Sequence, residues 1–164
     1  LVYNATKDPI AAAENAKKTE AIKNVLPEFQ ELKDMNVKSA LEDAELPFHL
    51  AYDKDGNFIG AAVETFTNKG FSGNISLMVG ILADGTVNNI SVLQHAETPG
   101  LGSKMSGPSF KDQFNNKHAD SFNFNVKKDG GDVDAITAAT ISSRAFCDAV
   151  NRAISTFENN KGGF

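Results

Sequence analysis

The stretch Ile75-Ser76-Leu77-Met78-Val79-Gly80-Ile81 decides the fold class of this chain of 164 residues. Its odd-numbered positions are all aliphatic, which is the period of two expected for a β-strand with one face in a core. Asp55-Gly56-Asn57 and Asp84-Gly85-Thr86 are hairpin signals on either side of it. The sequence therefore predicts an antiparallel meander with strands over residues 58–66, 71–82 and 87–93, and a further short strand over residues 122–126.

Helical periodicity is clearest near the C-terminus, where a helix is predicted to begin at Ile141 or Ser142. Its apolar residues recur on one helical face and must pack on the sheet, namely Phe146, Ala149, Val150, Ala153, Ile154 and Phe157. Near the start, Asp8-Pro9 predicts a helix N-terminus, and a charged helix is expected to run to about Leu26. We interpret it either as a stalk leading from a membrane anchor or as an ordinary surface helix of the domain.

These elements predict an α+β fold, with a mostly antiparallel sheet flanked by helices, an N-terminal helix and an amphipathic C-terminal helix. Residues 1–47 are predicted to be an N-terminal helical segment that serves as a stalk or cover. Residues 48–164 are predicted to be the main domain, which is long enough to bury a core of its own.

The composition argues against several classes of function. Hydrophobic residues make up 41% of the chain and charged residues 23%, values that are typical of a folded globular protein. Sixteen Lys and Arg residues against 21 Asp and Glu residues give a net charge of −5. Neither nucleic-acid binding nor attraction to anionic lipid therefore has electrostatic support.

Metal and thiol chemistry also have little support. Cys147 is the only cysteine, so an internal disulfide is impossible, and its place in the C-terminal helix pattern favours a small buried side chain. The three histidines are far apart in the sequence and have no metal-ligand spacing. No metal site is predicted.

Chemistry is most strongly indicated at Asp134-Ala135-Ile136-Thr137-Ala138-Ala139-Thr140-Ile141-Ser142. The hydroxyl of Thr140 follows two alanines and precedes the predicted helix, whose N-terminal N–H groups suit a bound phosphate. The alternative is that Thr140, Ser142 or Ser143 is simply a helix cap.

A second segment, Glu97-Thr98-Pro99-Gly100-Leu101-Gly102, has the residues needed to approach a flat ligand closely. Its proline sets a rigid turn, and its two glycines let the main chain come near the ligand. A plain surface turn is the alternative interpretation. Lys128 is a candidate cation near such a ligand, or else a solvated lysine.

Together the two segments resemble the signatures of the FMN-binding domain family, and the resemblance runs from about Gly56 to Phe157. Residues 134–140 are similar to its Asp-x-x-Ser/Thr-Gly-Ala-Thr motif, and residues 97–102 are similar to its second signature. Within this family the chain resembles the G subunits of Rnf electron-transport complexes. It also resembles their homologues, the C subunits of sodium-translocating NADH:quinone reductases.

The resemblance implies that the cofactor is FMN, joined to Thr140 through a phosphoester bond by a flavin transferase. It implies no catalytic residue, but it places cofactor-binding positions at Glu97, Thr98, Gly100, Leu101, Gly102, Lys128, Asp134, Thr137, Ala138, Ala139, Ile141 and Ser142. One residue departs from the family pattern, because Ala138 stands where glycine is usual. A β-carbon there is acceptable only if the backbone avoids positive φ, so recognition by the transferase is expected to be weaker.

The resemblance also implies an electron-transfer subunit of a membrane-bound, ion-translocating oxidoreductase complex rather than a stand-alone enzyme. The expected partners are the other subunits and a transferase that takes FMN from FAD with magnesium. The expected location is the extracytoplasmic (periplasmic) face of the inner or cell membrane. A single membrane-spanning helix is expected before Leu1, as in the family relatives.

Two alternatives remain at this point. In the first alternative, the chain is the FMN-carrying domain of an extracytoplasmic reductase. In the second, it is an interaction subunit that has lost flavin attachment through the change at Ala138.

Overall fold

The computed structural model describes residues 16, 18–38, 45–71, 73–97 and 102–160. Five strands form one sheet in sequence order, and every neighbouring pair is antiparallel. The strands are β1 (Glu31–Lys38), β2 (Glu45–Tyr52), β3 (Phe58–Gly70), β4 (Gly73–Leu82) and β5 (Val87–Gln94). The helices are α1, which includes residues 18–25, α2 (Pro108–Lys111) and α3 (Thr140–Asn160). The predicted α+β fold, with helices at both ends of the chain, is confirmed.

One face of the sheet packs against α3 and encloses the main core. The aliphatic residues of the deciding stretch in β4 are fully buried there, as their alternation predicts. Two threonines of β3 fasten α3 to this face, because Thr65 Oγ1 donates to the Ala149 carbonyl and Thr67 Oγ1 donates to Asp148 Oδ2, each at 2.8 Å. The long helix is therefore held against the centre of the sheet.

The opposite face of the sheet is covered by α1. Its apolar residues Ala21, Ile22, Val25 and Leu26 pack against a smaller buried cluster on β2, β3 and β4. Gly80 of β4 lies directly beneath this helix, at a position where a β-carbon would collide with the Val25 carbonyl. Residues 18–26 therefore lie on the domain as a surface helix and do not extend from it as a stalk. Among the described residues, no helix combines the length and the apolar composition needed to cross a membrane.

The sheet is larger than predicted, because part of the predicted helical segment 1–47 is extended. Strand β1 lies wholly within that segment, and β2 begins at Glu45. Six of the eight residues of β1 are exposed, so this edge strand carries little of the alternation by which a half-buried strand is recognised. Its conformation is set by backbone pairing with β2 rather than by local sequence. The division of the chain at residue 47 stays a prediction, although it falls within β2.

The predicted short strand over residues 122–126 is wrong. In this segment only Val126 makes a β-bridge, an isolated parallel one to Val133. Phe122 and Phe124 do not pair with the sheet, and their rings contact each other edge to face.

An aromatic cluster fixes the first turns of α3. The cluster consists of Phe110 in α2, Phe114 just after α2, and Phe146 in α3. Their ring centroids lie 5.0 to 5.6 Å from one another. Such aromatic pairs add about 0.5–1.5 kcal/mol each beyond the area they bury. The cluster therefore holds the N-terminal end of α3 in a defined position.

Candidate functional site

A pocket of about 360 Å³ lies at the N-terminal end of α3. It is lined by Phe71, Gly102, Ala138, Ala139, Thr140, Ile141 and Ser142. This volume lies in the range of about 300–1,000 Å³ that is usual for small-molecule sites. The structure therefore brings residues of both sequence signatures together around one cavity.

Thr140 is the first residue of α3 and is half-buried in the wall of this pocket. The residue before it is Ala139, which has no side-chain oxygen with which to cap the helix. Among the described residues, neither the Thr140 hydroxyl nor the backbone N–H groups of Thr140, Ile141 and Ser142 make a hydrogen bond. These donors are the ones that a helix N-terminus leaves without intrahelical partners, and they favour an anion.

The other two hydroxyls of this segment are already engaged. Ser142 Oγ donates to Glu97 Oε1 at 2.7 Å. Ser143 Oγ donates to the Ala139 carbonyl and accepts from the Ile136 N–H, both at 2.9 Å. Neither serine caps the helix, and Thr140 does not cap it either. The capping interpretation is therefore not supported at any of the three.

Ala138 adopts a φ of +62°, in the left-handed region that favours glycine. The condition expected from the sequence, a negative φ at this residue, is therefore not met. The residue is exposed and lines the pocket. The backbone of this loop therefore has the conformation that glycine adopts easily. In Ala138 this conformation costs a steric strain energy of about 1–2 kcal/mol.

Glu97 lies behind the pocket wall rather than in it. The residue is only 5% exposed, and Oε1 accepts hydrogen bonds from the Phe71 N–H at 2.8 Å and from Ser142 Oγ at 2.7 Å. Gly102 lies beside it, where a β-carbon would stand 2.8 Å from Glu97 Cβ and 2.5 Å from Ser142 Oγ. The remaining predicted residues of this signature, Thr98, Gly100 and Leu101, lie outside the described residues.

Asp134 and Thr137 do not line this pocket. They lie instead at a separate, more polar cavity of about 310 Å³, which Lys104 and Gln113 also line. Asp134 pairs with Lys127 at 2.6 Å, and this hydrogen bond raises the pKa of Lys127. The Gln113 side chain holds the Asp134 backbone at both its N–H and its carbonyl. These two predicted residues therefore lie outside the pocket that Thr140 lines.

The basic residues near the motif, Arg144 and Lys128, do not line the pocket at Thr140. Arg144 makes a bidentate ion pair with Asp129, at 2.9 and 2.8 Å, and this contact lowers the pKa of Asp129. Lys128 is exposed and is not among the residues that line the pocket. The anion-binding capacity at Thr140 thus rests on backbone N–H groups.

Phe71 is the site residue that the sequence prediction left out. It stands at the end of β3 with 68% of its surface exposed, and its side chain lines the pocket. Ile141, which also lines the pocket, is 50% exposed. The signal that was available is an aromatic residue between Gly70 and Gly73 in a tight hairpin. No cluster of metal-ligating side chains occurs in the part of the chain that the structure describes.

The chain is similar to known proteins both in sequence and in fold. A family model for the FMN-binding domain matches residues 70–155. A protein of Aliivibrio fischeri, named as the G subunit of an ion-translocating oxidoreductase complex, is 36% identical over 167 residues, which cover 94% of this chain and 79% of that protein. A protein of the same name from Methanosarcina acetivorans is 35% identical over 167 residues, with coverage of 99% and 86%.

A solved structure, NqrC of Shewanella oneidensis, has a similar fold. It superposes with a TM-score of 0.56 at 22% identity and covers 88% of this chain and 73% of its own.

Proposed function

Because this chain belongs to the FMN-binding domain family, we propose that it is the flavin-carrying, electron-transfer subunit of a membrane-bound, ion-translocating oxidoreductase complex, with FMN esterified to Thr140. One observation carries the proposal. Thr140 presents a hydroxyl that bonds to none of the described residues, inside a pocket and at the entrance of a helix with open N–H groups. FMN supplies one- and two-electron transfer, while the protein supplies position and environment.

The residues at the pocket suit the two ends of this cofactor. The backbone N–H groups of Thr140, Ile141 and Ser142 would receive the phosphate, whose ester retains negative charge. The apolar side chains of Phe71 and Ile141, together with Ala138 and Ala139, would contact the ring system. Covalent retention means that the flavin stays with the subunit between electron-transfer events, whatever its non-covalent affinity.

The attachment step requires a partner enzyme. The Thr140 oxygen would attack the phosphorus on the FMN side of the FAD pyrophosphate. One P–O bond forms, the bond to the bridging oxygen breaks, AMP leaves, and the hydroxyl proton passes to a base. We assign this step to a magnesium-dependent flavin transferase. The other proposed partners are the remaining subunits of the complex, in line with the names of the relatives.

We further propose that the domain lies on the extracytoplasmic face of the inner or cell membrane and is held there by one N-terminal membrane-spanning helix. The names of the relatives support this arrangement, because each is a subunit of an ion-translocating oxidoreductase complex.

The two alternatives give different results in one experiment. The chain is co-expressed with a flavin transferase, denatured and separated from free flavin, and the retained fluorescence and mass are measured. We expect one FMN per chain, lost completely in Thr140→Ala. Ser155→Ala is the control, because Ser155 carries a half-buried hydroxyl on the same helix but lies outside both signatures and outside the pocket.

A colourless denatured chain would leave the unflavinylated interaction subunit as the better description. Flavin retained in Thr140→Ala would place the ester elsewhere. A reductase domain would instead be indicated if a catalytic module, rather than a membrane-spanning helix, preceded this segment in the full-length protein.

A further inference from the structure

We infer that Glu97 is a positioning residue, which holds the Phe71 ring in place as one wall of the flavin pocket through the hydrogen bonds that join Phe71 and Ser142. The inference rests on the proposed binding of FMN in the pocket at Thr140. It assigns Phe71 a contact with the flavin ring system and gives Glu97 an indirect role, in place of the direct contact that its position in the signature suggests.

The exposure of Phe71 is the first observation. A large apolar side chain that is 68% exposed, beside a second one, Ile141, that is 50% exposed, forms an apolar opening to the pocket. Among the described residues, only Met35 is a further large hydrophobic side chain of comparable exposure. A planar aromatic ligand entering between Phe71 and Ile141 would cover both, and aromatic rings stack favourably in this way.

The placement of Glu97 is the second observation. Three of the seven residues that line the pocket contact Glu97, although Glu97 itself is not exposed to the cavity. It bonds the backbone of Phe71 and the side chain of Ser142, and Gly102 fits closely against its β-carbon. A single oxygen atom thus connects the tip of the β3–β4 hairpin with the first turn of α3.

The energetic cost of burying Glu97 favours such a role. A buried carboxyl group is retained only when hydrogen bonds compensate its loss of water, and Glu97 is a buried residue. Removal of its side chain leaves the Phe71 N–H and the Ser142 hydroxyl without this acceptor. The hairpin tip would then lose this hydrogen-bonded connection to α3, and the Phe71 ring would no longer be fixed in the wall of the pocket.

The test uses the chain in a Thr140→Ala background, so that only non-covalent binding is measured, by titration with FMN and quenching of its fluorescence. Phe71→Ala is expected to weaken FMN binding by about two- to tenfold, as expected for the loss of one aromatic pair. Glu97→Ala should weaken it by a similar factor, although the ring remains. Glu97→Gln should restore the affinity, because the amide oxygen can accept both hydrogen bonds.

Two further variants separate positioning from general damage. Thr65→Val removes a buried hydrogen bond between α3 and the sheet, far from the pocket, and should lower stability without changing the affinity for FMN. The double variant Phe71→Ala/Glu97→Ala should bind no more weakly than the weaker single variant, since both act through one ring.

The inference is overturned if Glu97→Ala binds FMN like its parent, if Glu97→Gln binds as weakly as Glu97→Ala, if the two losses multiply in the double variant, or if the parent binds no FMN. Covalent labelling of Thr140 is measured separately in the unmodified chain. Labelling that succeeds while the Glu97 variants fail these expectations would overturn only this inference and leave the proposed function standing.

Discussion

The backbone N–H of Ile136 donates a hydrogen bond of 2.9 Å to Ser143 Oγ, which in turn donates to the Ala139 carbonyl at 2.9 Å. The serine side chain is fully buried, so both bonds are shielded from water. They fix the two ends of the short loop that contains Ala138, and they hold that residue at a φ of +62°. The left-handed conformation is therefore held by a side chain in the first turn of α3.

Ala138→Gly should stabilise the domain. Glycine adopts this φ without steric penalty, so the substitution should remove strain of about 1–2 kcal/mol. The greater freedom of glycine in the unfolded chain offsets roughly 0.4–1 kcal/mol of that gain. We expect the free energy of unfolding, measured by urea titration, to rise by about 0.5–1 kcal/mol. Ala138→Val is the matched control and should lower it, since a β-branched side chain fits this conformation poorly. A glycine variant less stable than the parent would contradict the strain at this residue.

Gly102→Ala should destabilise the domain and distort the pocket. A β-carbon at Gly102 would lie 2.5 Å from Ser142 Oγ and 2.8 Å from Glu97 Cβ, so the Glu97–Ser142 contact has to shift. We expect the free energy of unfolding to fall by about 1–3 kcal/mol, as for other overpacked sites. Gly107→Ala is the control, because a β-carbon at Gly107 would have the Lys104 carbonyl oxygen as its nearest neighbour, at 3.3 Å. Equal losses in the two variants would show that the close packing at Gly102 has no special effect.

His49 links three strands on the sheet face that α1 covers. Its Nδ1 lies 2.7 Å from Asp34 Oδ1, its Nε2 lies 2.9 Å from Glu64 Oε2, and Lys18 of α1 lies 3.2 Å from Glu64. Both ring nitrogens can donate to these carboxylates only in the protonated form. Burial alone would lower the pKa of His49, but its hydrogen bonds with Glu64 and Asp34 outweigh that effect and raise the pKa above 6.5.

The contribution of His49 to stability should therefore depend on pH in a defined direction. A group whose pKa is raised on folding stabilises the protein fully below its unfolded pKa, and that contribution is lost as the pH rises through the folded pKa. We expect His49→Gln to lower the free energy of unfolding by roughly 1 kcal/mol at about pH 6 and by less above the raised pKa. Urea titrations at several pH values measure this difference. A difference that grows with pH would contradict the assignment.

Cys147 should be chemically inert in the folded protein. Burial, assisted by the negative charge of Asp129, raises the pKa of its thiol to about 12. Because the thiolate is the reactive form, a disulfide reagent at mildly alkaline pH should modify the native chain far more slowly than the urea-unfolded chain. The release of the reagent's chromophore measures both rates. Rapid modification without unfolding would contradict the buried position in α3.

Local sequence was sufficient for the parts of the fold that have a clear hydrophobic period. The alternation through Ile75 and Ile81 predicted β4, and the helical spacing from Phe146 to Phe157 predicted the buried face of α3, which begins within two residues of the expected position. Strand β1 was missed because an edge strand with mostly exposed residues has no such period. The predicted strand at 122–126 failed because apolar residues there serve an aromatic cluster instead.

The candidate site divides in the same way. The sequence by itself determined the family and the cofactor class, because these depend on residue types at fixed spacing within short segments. On the same basis it predicted Thr140 as the residue of attachment. Only the tertiary structure decided which residues meet around Thr140. It placed Phe71 in the pocket, turned Asp134 and Thr137 toward another cavity, and put Glu97 behind the wall. Those outcomes depend on hydrogen bonds and close contacts between segments far apart in the chain, which no local pattern contains.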